Sequence, residues 1–270
     1  MISTGSETGG GRRNYGPRWL FYVSSLFAFM EMSACTMVGA LPFSGDSWKE
    51  EVLLHDGSKL VITRAQTYGG RHEIGQPPPI KEHTVTFTLP QTTKTIIWTS
   101  EYGEDLGRTN FHLLAVHVLN GTPYIVAEPN LCLSYNKWGR PNPPYVLFKY
   151  DGIAWQRITL EVFPTEFTTT NVALGLSRQF VDMMVKQRIV SVEQVQKQNS
   201  QLPNPEYKVL LRRPYQGAEG ECSEMIRTID GWEGLGFFKH QPSYEACVKY
   251  CARKGVSEQN CPCETFFNGR

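Results

Sequence analysis

In Thr84-Val-Thr-Phe-Thr-Leu89 apolar and polar residues alternate, so Val85, Phe87 and Leu89 share one face of a strand and three threonines the other. From Trp48 to Thr159 the chain reads as four such strand pairs, each closed by turn chemistry. The pairs are Glu51–His55 with Lys59–Arg64 across Asp56-Gly57, and His83–Leu89 with Thr95–Ser100 across residues 90–94. They continue as Phe111–Leu119 with Pro123–Ala127 across Asn120-Gly121, and Tyr145–Tyr150 with Ala154–Leu160 across Asp151-Gly152. Asn-Gly and Asp-Gly supply the positive φ angles of tight primed turns. Phe111–Leu119 is apolar on both faces, which predicts a place in the middle of a sheet. About eight antiparallel strands in about 110 residues make a mainly β fold, a sandwich or an up-and-down barrel. Short strands and uneven loops favour the sandwich.

After the strands the period changes. Gln179–Gln187 places Phe180, Met183 and Met184 at helical spacing, a stripe that predicts packing on the sheet. Ser191-Val-Glu-Gln194 reads as a capping box before a polar surface helix that Pro203 and Pro205 end. From Tyr215 the chain turns Gly- and Cys-rich. Ser243 caps a helix over Tyr244–Lys254 that puts Cys247 and Cys251 on one face, ahead of Cys261-Pro-Cys263. The expected layout is a leader over 1–35, a β domain over 45–165, a helical segment over 166–213 and a small Cys-rich module over 214–270.

The leader has its own pattern. Arg12, Arg13 and Arg18 precede an apolar run from Trp19 to Met30, then Glu31 and Met32-Ser33-Ala34-Cys35. That is the secretory order of charge, grease and small residues. The run is shorter than the ~20 residues a membrane span needs, and extending it past Glu31 costs roughly 2–3 kcal/mol. Met32–Cys35 looks like a bacterial lipobox, which implies lipidation of Cys35, a membrane anchor, and with Thr36 next a periplasmic, outer-membrane address. Cleavage after Val38-Gly39-Ala40, an uncleaved anchor and a cytosolic protein are the alternatives.

The chain has 270 residues, 40% hydrophobic, with a net charge of +1. A 35-residue leader leaves about 235 residues, enough for one large domain and a small module. Near-zero charge argues against nucleic acid as a partner. Seven cysteines suit an exported chain, and lipidation of Cys35 leaves six for disulfides. Those six are Cys132, Cys222, Cys247, Cys251, Cys261 and Cys263. The helix pair is expected to bridge to Cys261 and Cys263, with Cys222 joining Cys132 or staying free. An all-thiolate zinc site is the competing arrangement, disfavoured by the Cys-x-Cys step and an oxidising compartment.

The longest interruption, residues 130–144, holds Tyr135, Lys137, Trp138 and Arg140, with Tyr145 beside it. An aromatic platform with hydrogen-bonding arms there would suit a carbohydrate or protein partner of the envelope, although Trp138 could instead fold back as a plug. The Pro-rich stretch Arg71–Pro79 is a second rim element. Three motifs, Gly70-Arg-His-Glu-Ile-Gly75, Asn130–Pro144 and Phe148-Lys-Tyr-Asp-Gly152, resemble a family of uncharacterised exported proteobacterial proteins across roughly residues 45 to 213. That resemblance brings no assigned activity. Ser243–Cys251 with Cys261, Cys263 and Phe266 is similar to part of apple-like (PAN) modules, which bind proteins or carbohydrates.

No nucleophile elbow, phosphate loop, zinc helix or calcium loop is present, and nothing calls for a cofactor or a metal. His112 and His117, five apart in a strand, are expected on opposite faces. Two readings follow. The first is a non-catalytic cell-envelope lipoprotein, structural or ligand-binding, with no catalytic residue. The alternative is an exported hydrolase of an envelope polymer, in which Glu101, Glu104 or Asp105 work with His72 or His83, and Glu73 adjoins the histidine pair.

Overall fold

The computed structural model describes residues 45–214, 216–217 and 222–267, and the stretch expected to be a leader, with Cys35, lies outside them. All four hairpins form. β1 (Gly45–Leu53), β2 (Lys59–Tyr68), β3 (Ile80–Thr88) and β4 (Thr95–Thr99) make one antiparallel sheet in sequence order. A two-residue pair, β5 (Tyr102–Gly103) and β6 (Arg108–Thr109), leads into β7 (Phe111–Leu119) and β8 (Thr122–Pro129). A short helix, α1 (Leu131–Lys137), precedes β9 (Val146–Tyr150) and β10 (Trp155–Ile158), and the second sheet runs in the order β10-β9-β8-β7. Asn120 and Gly121 take φ values of 50° and 72°, the pair of left-handed conformations a primed turn requires.

The two sheets pack face to face as a sandwich. Val52, Ile62, Val85 and Ile96 of the first meet Ile125, Val126 and Leu147 of the second in one core cluster. Trp98 joins them, with its ring centroid 6.4 Å from Phe111 and 6.0 Å from Phe148. β7 is not in the middle of its sheet. It is the last strand in the order, yet nearly all of it is buried, because residues 169–174 cover its free edge.

That covering segment has almost no ladder of its own. Asn171 donates from its backbone to Leu114 O, accepts from Val116 N at 2.9 Å, and donates through Nδ2 to Val116 O at 2.8 Å and Leu53 O at 3.0 Å. Its one carboxamide therefore replaces a missing strand and bridges the two sheets. Ala173 N donates to Glu50 Oε1 at 3.3 Å and Ala173 O accepts from Arg64 Nη1 at 2.7 Å. Asn199 closes the series, accepting from Leu174 N at 3.0 Å and donating to Val172 O at 2.8 Å. Side chains satisfy the backbone groups that a ladder would otherwise satisfy.

α2 (Arg178–Val185) and α3 (Val192–Ser200) form a second small core with Trp48. In α2 the buried stripe is Val181 and Met184, whereas Met183 is exposed. The expected capping box of α3 is present: Gln194 N donates to Ser191 Oγ, and Ser191 N donates to Gln194 Oε1. The C-terminal module comprises a hairpin, β11 (Met225–Thr228) with β12 (Gly231–Gly234), and three helices, α4 (Gly236–Lys239), α5 (Tyr244–Arg253) and α6 (Cys263–Phe267). Cys247–Cys263 and Cys251–Cys261 staple α5 to the chain after it, and Cys132–Cys222 ties the module to α1. Its core centres on Phe238, Val256 and the half-cystines, and a core this small relies on staples.

Asn171→Ala leaves a buried N–H and two buried carbonyls without these partners, and should lower the urea-unfolding free energy by about 2–4 kcal/mol. Ser191→Ala, which removes only the cap of α3, should cost about 1 kcal/mol in the same assay.

Candidate functional site

The inner face of the first sheet is apolar at one end and polar at the other, and the period-two pattern carries both. On β2, Leu60 and Ile62 are followed inward by Arg64 and Gln66; on β3, Phe87 and Val85 are continued inward by His83. On β1, Val52 is continued by Glu50 and Trp48. Glu50 is fully buried, accepting from Trp48 Nε1 at 2.9 Å and pairing with Arg64 at 3.3 Å. The Arg64 guanidinium also lies 5.1 Å over the Trp48 ring.

At this polar end the sheets part around a cleft of about 260 Å³ lined by Arg64, His83, His112, Glu128 and Tyr207, with Leu113, Leu174 and Leu202 as its apolar walls. His112 and Glu128 are cross-strand partners on β7 and β8. The His83 and His112 ring centroids are 5.7 Å apart, edge to face. Gln66 Nε2 lies 3.3 Å from His83 Nδ1, which assigns the neutral ring's proton to Nε2. That Nε2 is buried and has no hydrogen-bond partner, an arrangement rare in a folded interior. Tyr207 donates to the Glu128 carboxyl, its hydroxyl lying 3.0 and 2.9 Å from the two oxygens.

Burial governs the protonation of these groups. Desolvation, reinforced by His112 and Arg64, holds the His83 pKa well below the usual imidazole value, and desolvation lowers that of His112 despite a hydrogen bond with Asn130. Desolvation pushes Glu128 up to about 7, helped by the charge of Glu206 and opposed by Tyr207. The cleft thus sets two neutral imidazoles beside a carboxyl poised at neutrality, a combination typical of functional sites.

The residues expected to form an aromatic platform lie elsewhere and are engaged. Trp138 folds back, its ring 4.6 Å from that of Phe111, with Arg157 stacked 5.5 Å over it. Tyr135 is buried under Arg140, which donates to Asn136 Oδ1 and Cys222 O. Lys137 pairs with Asp105 at 3.0 Å, and the buried Tyr145 hydroxyl accepts from Leu211 N. These five make no open platform.

The proposed hydrolytic cluster is not assembled either. Glu101 and Glu104 are exposed, Asp105 is held by Lys137, and the exposed His72 is bonded to Gly70 O. Glu73 accepts from Gln76 Nε2 at 3.3 Å. Only His83 of that set reaches the cleft. The register shift between Leu113 and Ala115 puts His112, paired with Glu128, and His117, paired with Tyr124, on one face of the sheet and not on opposite faces as expected; His117 is stacked on Phe167 at 4.3 Å. Among the described residues, the one trio of metal-ligating side chains with donor atoms within 4.8 Å is Cys247, Cys251 and Cys263, whose sulfurs are in disulfides. Roomier depressions exist, among them one of about 340 Å³ beside Lys94 and Asp151. Another, of about 440 Å³ beneath α3, is mainly apolar, and a third, of about 580 Å³, lies beside Pro143 and Arg212. The depression beside Arg212 also holds shifted groups, Tyr145, Glu161 and Arg212, but of these linings only that of the cleft includes a buried side-chain nitrogen or oxygen without a hydrogen-bond partner.

Fold and site together define a disulfide-stapled antiparallel β-sandwich with a polar cleft between its sheets. No protein-family model, curated protein or solved structure matches this chain. The missed site residues had one available signal: His83 shares parity with Val85 and Phe87, and Arg64 with Leu60 and Ile62.

Glu128 sets a pH signature. Between about 4.5, its ordinary value, and about 7 the folded chain retains a proton that the unfolded chain releases. Stability therefore falls as pH rises through that window and is flat above it. In urea unfolding, wild type should lose roughly 3 kcal/mol relative to Glu128→Gln between pH 4.5 and 8. The buried histidines act oppositely: their folded pKa values are depressed, so both proteins lose stability as pH falls below about 6.5.

Proposed function

We propose that this chain is a non-catalytic binding protein of the cell envelope, anchored through Cys35 at the periplasmic side of the outer membrane. It takes a small polar ligand in the cleft between its sheets. The observation that carries this reading is the buried, unpartnered Nε2 of His83 in a cleft that also presents Glu128. Three disulfides support folding in an oxidising compartment. Among the described residues no helix is long and apolar enough to cross a membrane. The stapled C-terminal module is free to contact an envelope protein or carbohydrate.

A second reading, an exported hydrolase, draws on the same cleft, where a carboxyl with a pKa of about 7 and neutral imidazoles could act as acid and base. It ranks second because the lining has a single carboxylate and no Ser, Thr, Cys or Lys to serve as nucleophile.

Placement is tested by intact mass of membrane-fraction protein with thiol labelling. The expected product carries a diacylglyceryl group on Cys35 and no reactive thiol; a soluble chain with seven reactive thiols rejects the envelope reading. Binding is tested by saturation-transfer NMR with a panel of small sugars, amino acids, amines and polyols. Wild type should transfer saturation to at least one solute that receives none from His83→Phe. Identical spectra for both proteins would remove the cleft from the function.

A further inference from the structure

We infer that the cleft is built for a small primary amine that also carries a hydrogen-bond acceptor, an amino alcohol or a close relative, with its ammonium against Glu128 and its acceptor oxygen against His83. This inference rests on the binding reading above and adds the chemical class and orientation of the ligand.

The charges facing the cleft make the case element by element. From β2 comes Arg64, already matched by Glu50 at 3.3 Å and by Ala173 O at 2.7 Å. From β3 and β7 come His83 and His112, both kept neutral by burial. The segment that covers β7 and the two residues after it contribute Ala173, Leu174, Gly175 and Leu176, with no ionisable side chain, and Leu202 adds none. From β8 comes Glu128, and behind it stands Glu206 on the turn Pro205–Tyr207. Among the described residues neither carboxylate has a Lys, Arg or His partner within 4.0 Å. Glu206 Oε2 is moreover buried without a hydrogen bond. Glu128 therefore lines the cleft as a carboxyl without a basic partner, and removal from water makes its ionisation costly unless a cation arrives. An ammonium suits the space because it is compact and offers three donors.

His83 has the complementary deficit. With Gln66 Nε2 facing Nδ1, the His83 ring presents Nε2–H, a buried donor with no acceptor. A cation there would be repelled, whereas a hydroxyl or carbonyl oxygen would complete it, so Glu128 and His83 together fix the ligand's direction. The volume of about 260 Å³ lies below the ~300–1,000 Å³ of sites for drug-sized ligands, which selects a single small molecule. An arriving ammonium favours ionised Glu128, so the carboxyl proton leaves to solvent and binding is proton-coupled.

The test is isothermal titration of the full chain with ethanolamine and 3-aminopropanol against ethylene glycol and 1,3-propanediol. The amines should bind at least about tenfold more tightly than the diols, and roughly 20-fold more weakly at pH 5.5 than at 7.5 as Glu128 takes up its proton. Titration at pH 7 in two buffers of different ionisation enthalpy should show release of about half a proton on wild type, a readout that needs no variant. Glu128→Gln, checked by its melting curve, should bring the amino alcohols down to the affinity of the diols. His83→Phe should weaken 3-aminopropanol but not propylamine. Equal binding of amines and diols, unchanged by Glu128→Gln, would overturn the amine class while the binding reading stands. A panel solute that binds and is lost in His83→Phe, with no amine binding, would do the same. If no solute binds, both readings fall.

Discussion

The strap at residues 171–174 is the constraint on which the rest of the molecule depends. A two-sheet sandwich opens at its ends, and here β7 would present a bare edge while β1 and β2 would expose a buried ion pair. The strap answers both needs at once, because the Asn171 carboxamide completes β7 and reaches β1, while Ala173 adds one hydrogen bond to each of Glu50 and Arg64. Charges as deeply buried as these are tolerated only where each lone pair and proton finds a partner. The free edge of β1 is met nearby, where Glu51 N donates to Val190 O and Val190 N to Lys49 O, both at 2.9 Å. Two edges that could template another chain are thereby covered from within.

The strap also makes the cleft. Residues 173–176 line the same space as the inward residues Arg64 and His83 and as Glu128. Filling that space with leucines would have extended the apolar core that already holds the other end. The chain instead carries histidines that stay neutral and a carboxyl whose proton is loosely held. Stability is given up there in a graded, pH-dependent way, and departures of this kind from the best-packed solution concentrate at binding and reaction sites.

The C-terminal module follows a different logic. Its strands are four residues long and its core small, so covalent links supply what burial does not. Its attachment to the sandwich is also partly covalent: Cys132–Cys222 lies beside the Asn136 amide, which donates to Ser223 O and accepts from Met225 N. The loop that carries Trp138 thus serves as a mount for the module and as a plug for the core beneath.

Much of this was legible in the sequence by itself. The hairpins follow from alternation and from Asn-Gly and Asp-Gly turns, the α3 cap from Ser191 and Gln194, and the pairing of the α5 cysteines with Cys261 and Cys263 from their position on one helix face. These are local effects, decided by side-chain period and backbone torsion within a few residues. The burial of β7 at a sheet edge was not legible, because its cover comes from Asn171, more than fifty residues on. Nor was the turning-in of Trp138, since an aromatic loop residue packs inward only where a hole such as that beside Phe111 awaits it. The cleft lies between these cases. Parity placed His83 and Arg64 on the inner face of the first sheet, but the meeting of that face with Glu128 and Tyr207 was decided by how two sheets and a strap pack in space.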